Sequence, residues 1–189
     1  MSVTLPPSVI GAVSPITDME NLDIRLRADA SSRRVALVAV ASSVAWLLIG
    51  SLFGLVASLK LHLPDWLVSS APLTFGRLRT AHLNAMAYGW ASLAMIGVSV
   101  WMIPRLVHTE LRVPKAAEVG VWLWNVGVGI GVVCILLGIN DGLEWLEMPR
   151  WLADPFLVAG GGLIGFSVLA TLAVREVDHL YVSVWYIMA

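Results

Sequence analysis

Residues 35–61 read VALVAVASSVAWLLIGSLFGLVASLKL, a run with a single charged residue, Lys60. A helix that crosses a membrane needs about 20 predominantly apolar residues, so this run predicts a transmembrane helix. Three further runs of suitable length occupy residues 80–103, 116–139 and 155–174, and loops that contain prolines separate them. The sequence therefore predicts an all-α fold, a polytopic transmembrane helix bundle with four complete spans.

A fifth apolar run begins near residue 179 and continues to residue 189. As a helix, a run of this length extends roughly 16 Å, whereas the hydrocarbon core of a bilayer is about 30 Å thick. We therefore expect these residues to start a fifth span, and we expect the polypeptide to continue beyond them.

The composition is that of a membrane protein. Hydrophobic residues make up 58% of the chain and charged residues 13%, and the mean hydropathy is +0.82. Soluble domains carry about 25% charged residues. Membrane lipid is thus an expected partner, and a net charge of −1 without a basic tail predicts no nucleic-acid partner. The single cysteine, Cys134, excludes a disulfide within the chain.

The polar leader, residues 1–34, differs from the rest of the chain. It lacks the early apolar core of a secretory signal, so we expect a mobile or surface-lying tail with a short helix near residues 18–31. Basic residues in the tail and in the loops on its side of the membrane outnumber those on the other side by eight to four. The positive-inside rule then predicts a polar cytoplasmic tail, 1–34, and a transmembrane bundle, 35–189.

His82 lies inside the second apolar run and follows two arginines, Arg77 and Arg79. An imidazole is costly to bury in a bilayer, so a histidine there usually has a function. Haem iron takes an imidazole nitrogen, and haem propionates take guanidinium groups. Arg79 and His82 are three residues apart and share a helical face. The pattern favours a haem-binding electron-transfer protein, and a histidine hydrogen-bonded within the bundle is the structural alternative.

Glu144 and Glu147 form a second candidate site. If the stretch between them is a helical turn, both carboxylates share a face and repel each other unless a cation or a proton relieves them. Carboxylate oxygens of this kind suit Ca²⁺, while a solvated acidic loop explains the same pattern. Because the chain crosses the membrane in the second run and returns in the third, we expect both glutamates on the side nearest His82.

Three stretches carry a resemblance to one protein superfamily. They are FGRLRTAH at residues 75–82, EWLEMP at residues 144–149 and HLYVSVWY at residues 179–186. In order and spacing, they resemble motifs of the haem–copper oxidase catalytic subunit I superfamily, and the first is most similar to that of cbb3-type cytochrome c oxidase subunit I. The nitric oxide reductase large subunit is the near relative. The resemblance covers about residues 35–189 and leaves the leader out.

This resemblance implies site residues. His82 would be one axial ligand of a low-spin haem b, and Arg79, with Arg77, would hold the haem propionates. Glu144 would join a Ca²⁺ ion, with Glu147 beside it. The family's ligands for the high-spin haem and the copper ion are expected beyond residue 189.

The resemblance also implies a function. The chain would be the N-terminal part of a terminal respiratory oxidase subunit, which passes electrons through haem b to an oxygen-reducing haem–copper centre and translocates protons. Its partners would be cytochrome c-type subunits and the remaining part of subunit I, and its location the bacterial inner membrane. Two alternatives stay open: a nitric oxide reductase large subunit, and a non-catalytic membrane assembly or accessory protein.

Overall fold

The computed structural model describes residues 15–189, with side chains from residue 21 onward. Four long helices, each long and apolar enough to cross a membrane, dominate the described residues, which contain no β-strand. A short helix occupies the predicted fifth run. The all-α bundle with four spans is thereby confirmed. The helices are α1 (Pro15–His62), α2 (Phe75–Leu106), α3 (Pro114–Leu137), α4 (Arg150–Ala173) and α5 (Val182–Met188).

Helix α1 is longer than its predicted span, because it includes the polar leader from Pro15 onward. The sequence has neither glycine nor proline between residues 16 and 49, so nothing interrupts the helix between residues 34 and 35. The short helix predicted near residues 18–31 is thus the first part of α1. The start of the predicted tail, residues 1–14, lies outside the described residues.

Helix α2 begins at Phe75, five residues before the predicted start of its span. Thr74 is extended, with φ −66° and ψ 149°, and its carbonyl oxygen accepts a hydrogen bond from the Leu78 N–H at 3.0 Å. The apolar pattern does not reveal this first turn, because it carries Arg77 and Arg79. Both arginines therefore stand on a helix rather than in a loop.

Helix α3 has conventional end residues. Pro114 is its first residue, a position where the missing N–H costs nothing. Gly138 follows its last residue with φ +85°, and the Ile139 N–H donates to the carbonyl oxygen of Cys134 at 2.8 Å. This left-handed glycine with a long return bond is a Schellman motif, and it turns the chain into the 138–149 loop.

The buried core lies in two clusters, one toward each end of the bundle. One cluster contains Val35 and Ile103, at the end where the leader enters. The other contains Ala81 and Met148, at the end where α2 begins and α4 follows. The second cluster surrounds the positions that the sequence singles out as a candidate site.

Glycines let α3 and α4 approach each other closely. A Cβ atom on Gly120 would lie 2.6 Å from the Gly160 carbonyl oxygen, and one on Gly160 would lie 2.7 Å from the Gly120 carbonyl oxygen. The sequence pattern Gly161–Gly165 suggests a packing pair of small residues. In the structure Gly160 makes the close contact, and a Cβ on Gly165 would meet open space.

A π-helical segment, Ala85–Ala91, interrupts α2 just after His82. Gly89 of this segment packs against Trp46 of α1, where a Cβ would lie 2.5 Å from the indole Cγ. The indole N–H of Trp124 donates to the Tyr88 carbonyl oxygen at 2.9 Å. Side chains from α1 and α3 therefore contact the segment, and π-helical turns are often found at functional sites.

Candidate functional site

His82 lies on the second turn of α2 and faces α1. Its Nδ1 atom lies 2.7 Å from the Gly50 carbonyl oxygen. A carbonyl oxygen only accepts, so Nδ1 carries the hydrogen and donates it. In the neutral imidazole, Nε2 then keeps its lone pair. This is the usual arrangement of a metal-binding histidine, whose second ring nitrogen donates to a backbone carbonyl or a carboxylate.

Two glycines of α1 make room for the side chains of His82 and Met86 on α2. A Cβ on Gly54 would lie 2.8 Å from Nδ1 and Cε1 of His82, and one on Gly50 would lie 2.8 Å from the sulfur of Met86. The Gly50–Gly54 pair in the sequence suggests close helix packing. The structure agrees with this interpretation and shows that the pair packs against the side chains of His82 and Met86.

The two arginines beside His82 have different surroundings. Arg77 is half-buried, and its Nη1 donates to the Leu136 carbonyl oxygen at 3.0 Å. Because Leu136 is in the last turn of α3, the cation also meets the negative end of the helix dipole. Arg79 is exposed, three residues before His82. Its side chain is therefore accessible to an anionic group.

Glu144 and Glu147 lie on the 138–149 loop and not on a helical turn. Trp145, between them, has a left-handed backbone with φ 71°. The condition for a shared helical face is therefore not met. Glu144 is exposed, whereas Glu147 accepts a hydrogen bond from Nδ2 of Asn84 on α2. This bond puts the loop at the same end of the bundle as His82, as the parity argument predicts.

Asn84 is the site residue that sequence reasoning missed. It is fully buried, and its Nδ2 donates to the Thr80 carbonyl oxygen at 3.0 Å as well as to Glu147. Its Oδ1 has no hydrogen-bond partner among the residues whose side chains the structure describes. The sequence does contain a signal for Asn84. A carboxamide is costly to bury in a membrane, and this one lies in an apolar span two residues after His82.

Asp141 closes the loop against the start of α4. One of its carboxylate oxygens accepts hydrogen bonds from the backbone N–H of Arg150 at 2.9 Å and from its Nε at 3.0 Å. These bonds favour the ionised carboxyl and lower the pKa of Asp141, with the backbone N–H the larger cause. The carboxylate also lies at a helix N-terminus, where a negative charge is favourable.

A cluster of metal-binding side chains is not found among the residues with described side chains. From residue 21 onward, no three His, Cys, Asp or Glu residues lie close enough together to hold a metal ion. In this part of the chain, Glu144 and Glu147 have no third residue of these types beside them.

Comparison with known proteins gives one consistent family. Residues 34–189 match the family model for cytochrome c and quinol oxidase polypeptide I. The chain is 29% identical over 145 residues to the cbb3-type cytochrome c oxidase subunit CcoN1 of Stutzerimonas stutzeri. These residues make up 76% of this chain and 30% of that relative. A cytochrome c oxidase subunit 1 homolog of Agrobacterium tumefaciens is 28% identical over 151 residues. The matched residues cover 79% of this chain and 28% of that relative.

A further relative is the cytochrome c oxidase subunit 1 homolog of Azorhizobium caulinodans. It is 29% identical over 147 residues, which cover 78% of this chain and 26% of the relative. The chain thus spans less than a third of the length of these three relatives.

Proposed function

The chain belongs to the cytochrome c and quinol oxidase polypeptide I family, and from this membership we propose that it carries the low-spin haem b of a cbb3-type terminal respiratory oxidase. The haem would supply one-electron redox chemistry to an oxidase whose haem–copper centre would reduce oxygen, with proton translocation coupled to the reaction. The family implies haem and copper as cofactors. It also implies an oxidoreductase complex in a membrane, consistent with the four apolar helices.

The observation that carries the proposal is the hydrogen bond between His82 Nδ1 and the Gly50 carbonyl oxygen. It fixes the tautomer in which Nε2 is free to bind iron, and it holds the ring in one orientation. Gly54 of the neighbouring helix leaves room for the imidazole, since a Cβ there would lie 2.8 Å from Nδ1. The free Nε2 and the fixed ring orientation therefore fit a haem ligand.

The side chains around His82 have separate roles in this proposal. His82 would hold the iron through Nε2. Arg79, which is exposed, would hold a propionate through its planar fork. Arg77 keeps donors beyond the one that binds Leu136, because a guanidinium has five N–H groups. When bound, haem supplies an iron centre that takes up and releases single electrons.

The proposal assigns no ligand of copper or of the high-spin haem to the described residues. Those ligands belong to the remaining part of subunit I, a partner together with cytochrome c-type subunits. Calcium binding by Glu144 and Glu147 stays a prediction based on residue type, since the loop does not bring their carboxylates onto one face. The location is the bacterial inner membrane, with the N-terminus cytoplasmic.

Oxygen and nitric oxide uptake together test the function. The complete subunit that contains this chain is expressed with its partner subunits in a bacterium that lacks terminal oxidases. Membranes supplied with reduced cytochrome c are expected to consume oxygen, and His82→Ala is expected to abolish the uptake. His62→Ala, at the exposed end of α1, is the matched control and retains it. Nitric oxide consumption without oxygen uptake would establish the reductase instead, and a complex without haem would establish an accessory protein.

A further inference from the structure

A groove lies where the leader part of α1 passes the last turns of α2, at the end of the bundle away from His82. Its volume is about 480 Å³, and its lining includes Leu26, Arg33, Leu37 and Trp101. Leu37 and Trp101 are 58% and 41% exposed. The groove therefore combines apolar walls with a cationic side chain.

One basic and one acidic side chain at the groove neutralise each other. Arg105 donates from Nε and Nη2 to the two carboxylate oxygens of Asp29, which also lines the groove. The Arg105 guanidinium lies 4.4 Å from the centre of the Trp101 ring, within the range of a cation–π contact. The carboxylate of Asp29 therefore does not repel an anion as a free carboxylate would.

Arg33 supplies the remaining positive charge of the groove. Its side chain is exposed, and no salt bridge to it is present among the residues whose side chains the structure describes. The adjacent Arg34 is different, because its Nε donates to Glu118 of α3 at 2.8 Å. The two neighbouring arginines thus differ: among the residues with described side chains, Arg34 has an acidic partner and Arg33 has none.

Arg33 lies where the lipid headgroups of the membrane are expected. It lies directly before the apolar run 35–61, so its charge stands at the boundary between water and hydrocarbon. Trp101 is of the residue type that prefers this boundary. Residues 21–34 carry four arginines and two aspartates, so the surrounding charge favours an anion.

We propose that this groove binds one anionic phospholipid of the leaflet on the N-terminal side. Its phosphate lies at Arg33, and its acyl chains lie along Leu37 and Trp101. The charge complementarity of Arg33 and the neutralised Asp29 selects a lipid with a net negative charge over a zwitterionic one.

Native mass spectrometry of the delipidated full chain tests this proposal. The probe is phosphatidylglycerol, and phosphatidylcholine and inorganic phosphate are titrated in parallel. The wild-type chain is expected to retain one phosphatidylglycerol in preference to phosphatidylcholine. Arg33→Gln is expected to weaken this binding about fivefold, the typical effect of one basic residue near a charged lipid surface. Arg34→Gln is the matched control and leaves the affinity unchanged.

A second measurement covers the case in which Arg33→Gln does not fold. In nanodiscs, brominated phosphatidylglycerol is expected to quench the Trp101 fluorescence of the wild-type chain more than brominated phosphatidylcholine does, with Trp101→Phe giving the background. Equal quenching by the two lipids, equal losses in the two arginine variants, or binding of phosphate as tight as that of the lipid would each overturn the proposal.

Discussion

The carboxylate of Glu147 accepts a hydrogen bond from Nδ2 of Asn84, a side chain with no exposed surface. The bond joins the 138–149 loop to α2 two residues after His82. Since Glu147 is only partly exposed, it relies on this donor for part of its solvation. The loop is thereby held against the helix that carries the candidate haem ligand.

Asn84→Leu is expected to destabilise the protein by about 2 kcal/mol, because it leaves the Glu147 carboxylate without its buried donor. Thermal unfolding in detergent measures the loss. Asn140→Ala is the control, since Asn140 is an exposed asparagine of the same loop and is expected to change the melting temperature little. An equal effect of the two substitutions would show that Asn84 does not support the loop.

Gly54→Ala is expected to displace the imidazole of His82. The added Cβ would lie 2.8 Å from the ring, so the bond to the Gly50 carbonyl oxygen must lengthen or the helices must separate. In the haem-loaded complex, the electron paramagnetic resonance signal of the low-spin ferric haem should shift, because it depends on the orientation of the axial ring. Gly165→Ala, which meets open space, should leave the signal as it is.

The number of helices was predictable from the sequence, and their contacts were not. A membrane requires about 20 apolar residues per span, so four apolar runs predict four helices whatever their neighbours. The bond from His82 to Gly50 and the bond from Asn84 to Glu147 join residues 32 and 63 positions apart. Hydrophobic periodicity carries no information about which distant groups meet.

Local backbone geometry was also beyond the apolar pattern. Helix α2 begins at Phe75 directly after the extended Thr74, and Gly89 of the π-helical segment packs against Trp46 of α1. Average hydropathy indicates neither feature. The helical turn that would place Glu144 and Glu147 on one face does not form, because Trp145 between them adopts a left-handed conformation. The calcium site itself stays a prediction.

The pKa of Asp141 predicts a dependence of stability on acid. A folded pKa below the unfolded value of about 3.9 means that the ionised carboxyl stabilises the native state above that value. The contribution is lost as the pH falls through the lower, folded pKa. Asp141→Asn should therefore lower the melting temperature at neutral pH. In acid, the melting temperature of the variant should decrease less than that of the wild type. Asp65→Asn, on another exposed loop, is the control and should keep the wild-type profile.

Arg79→Ala is expected to keep the haem and lower its midpoint potential. Removing a nearby positive charge makes the reduced, more negative state of the haem less favourable. Arg79→Lys should restore only part of the potential, since it offers charge without the planar fork. Redox titration of the haem band gives both values. A potential that is unchanged in Arg79→Ala would remove this arginine from the haem environment.

The absorption spectrum of His82→Ala in the assembled complex tests the central claim most directly. If the imidazole binds the iron of a low-spin haem b, the reduced-minus-oxidised spectrum of the variant should lack the low-spin haem band, while His108→Ala should keep it. His82→Gln should lose the band as well. A full low-spin haem b signal in His82→Ala would contradict the ligand assignment and the function proposed from it.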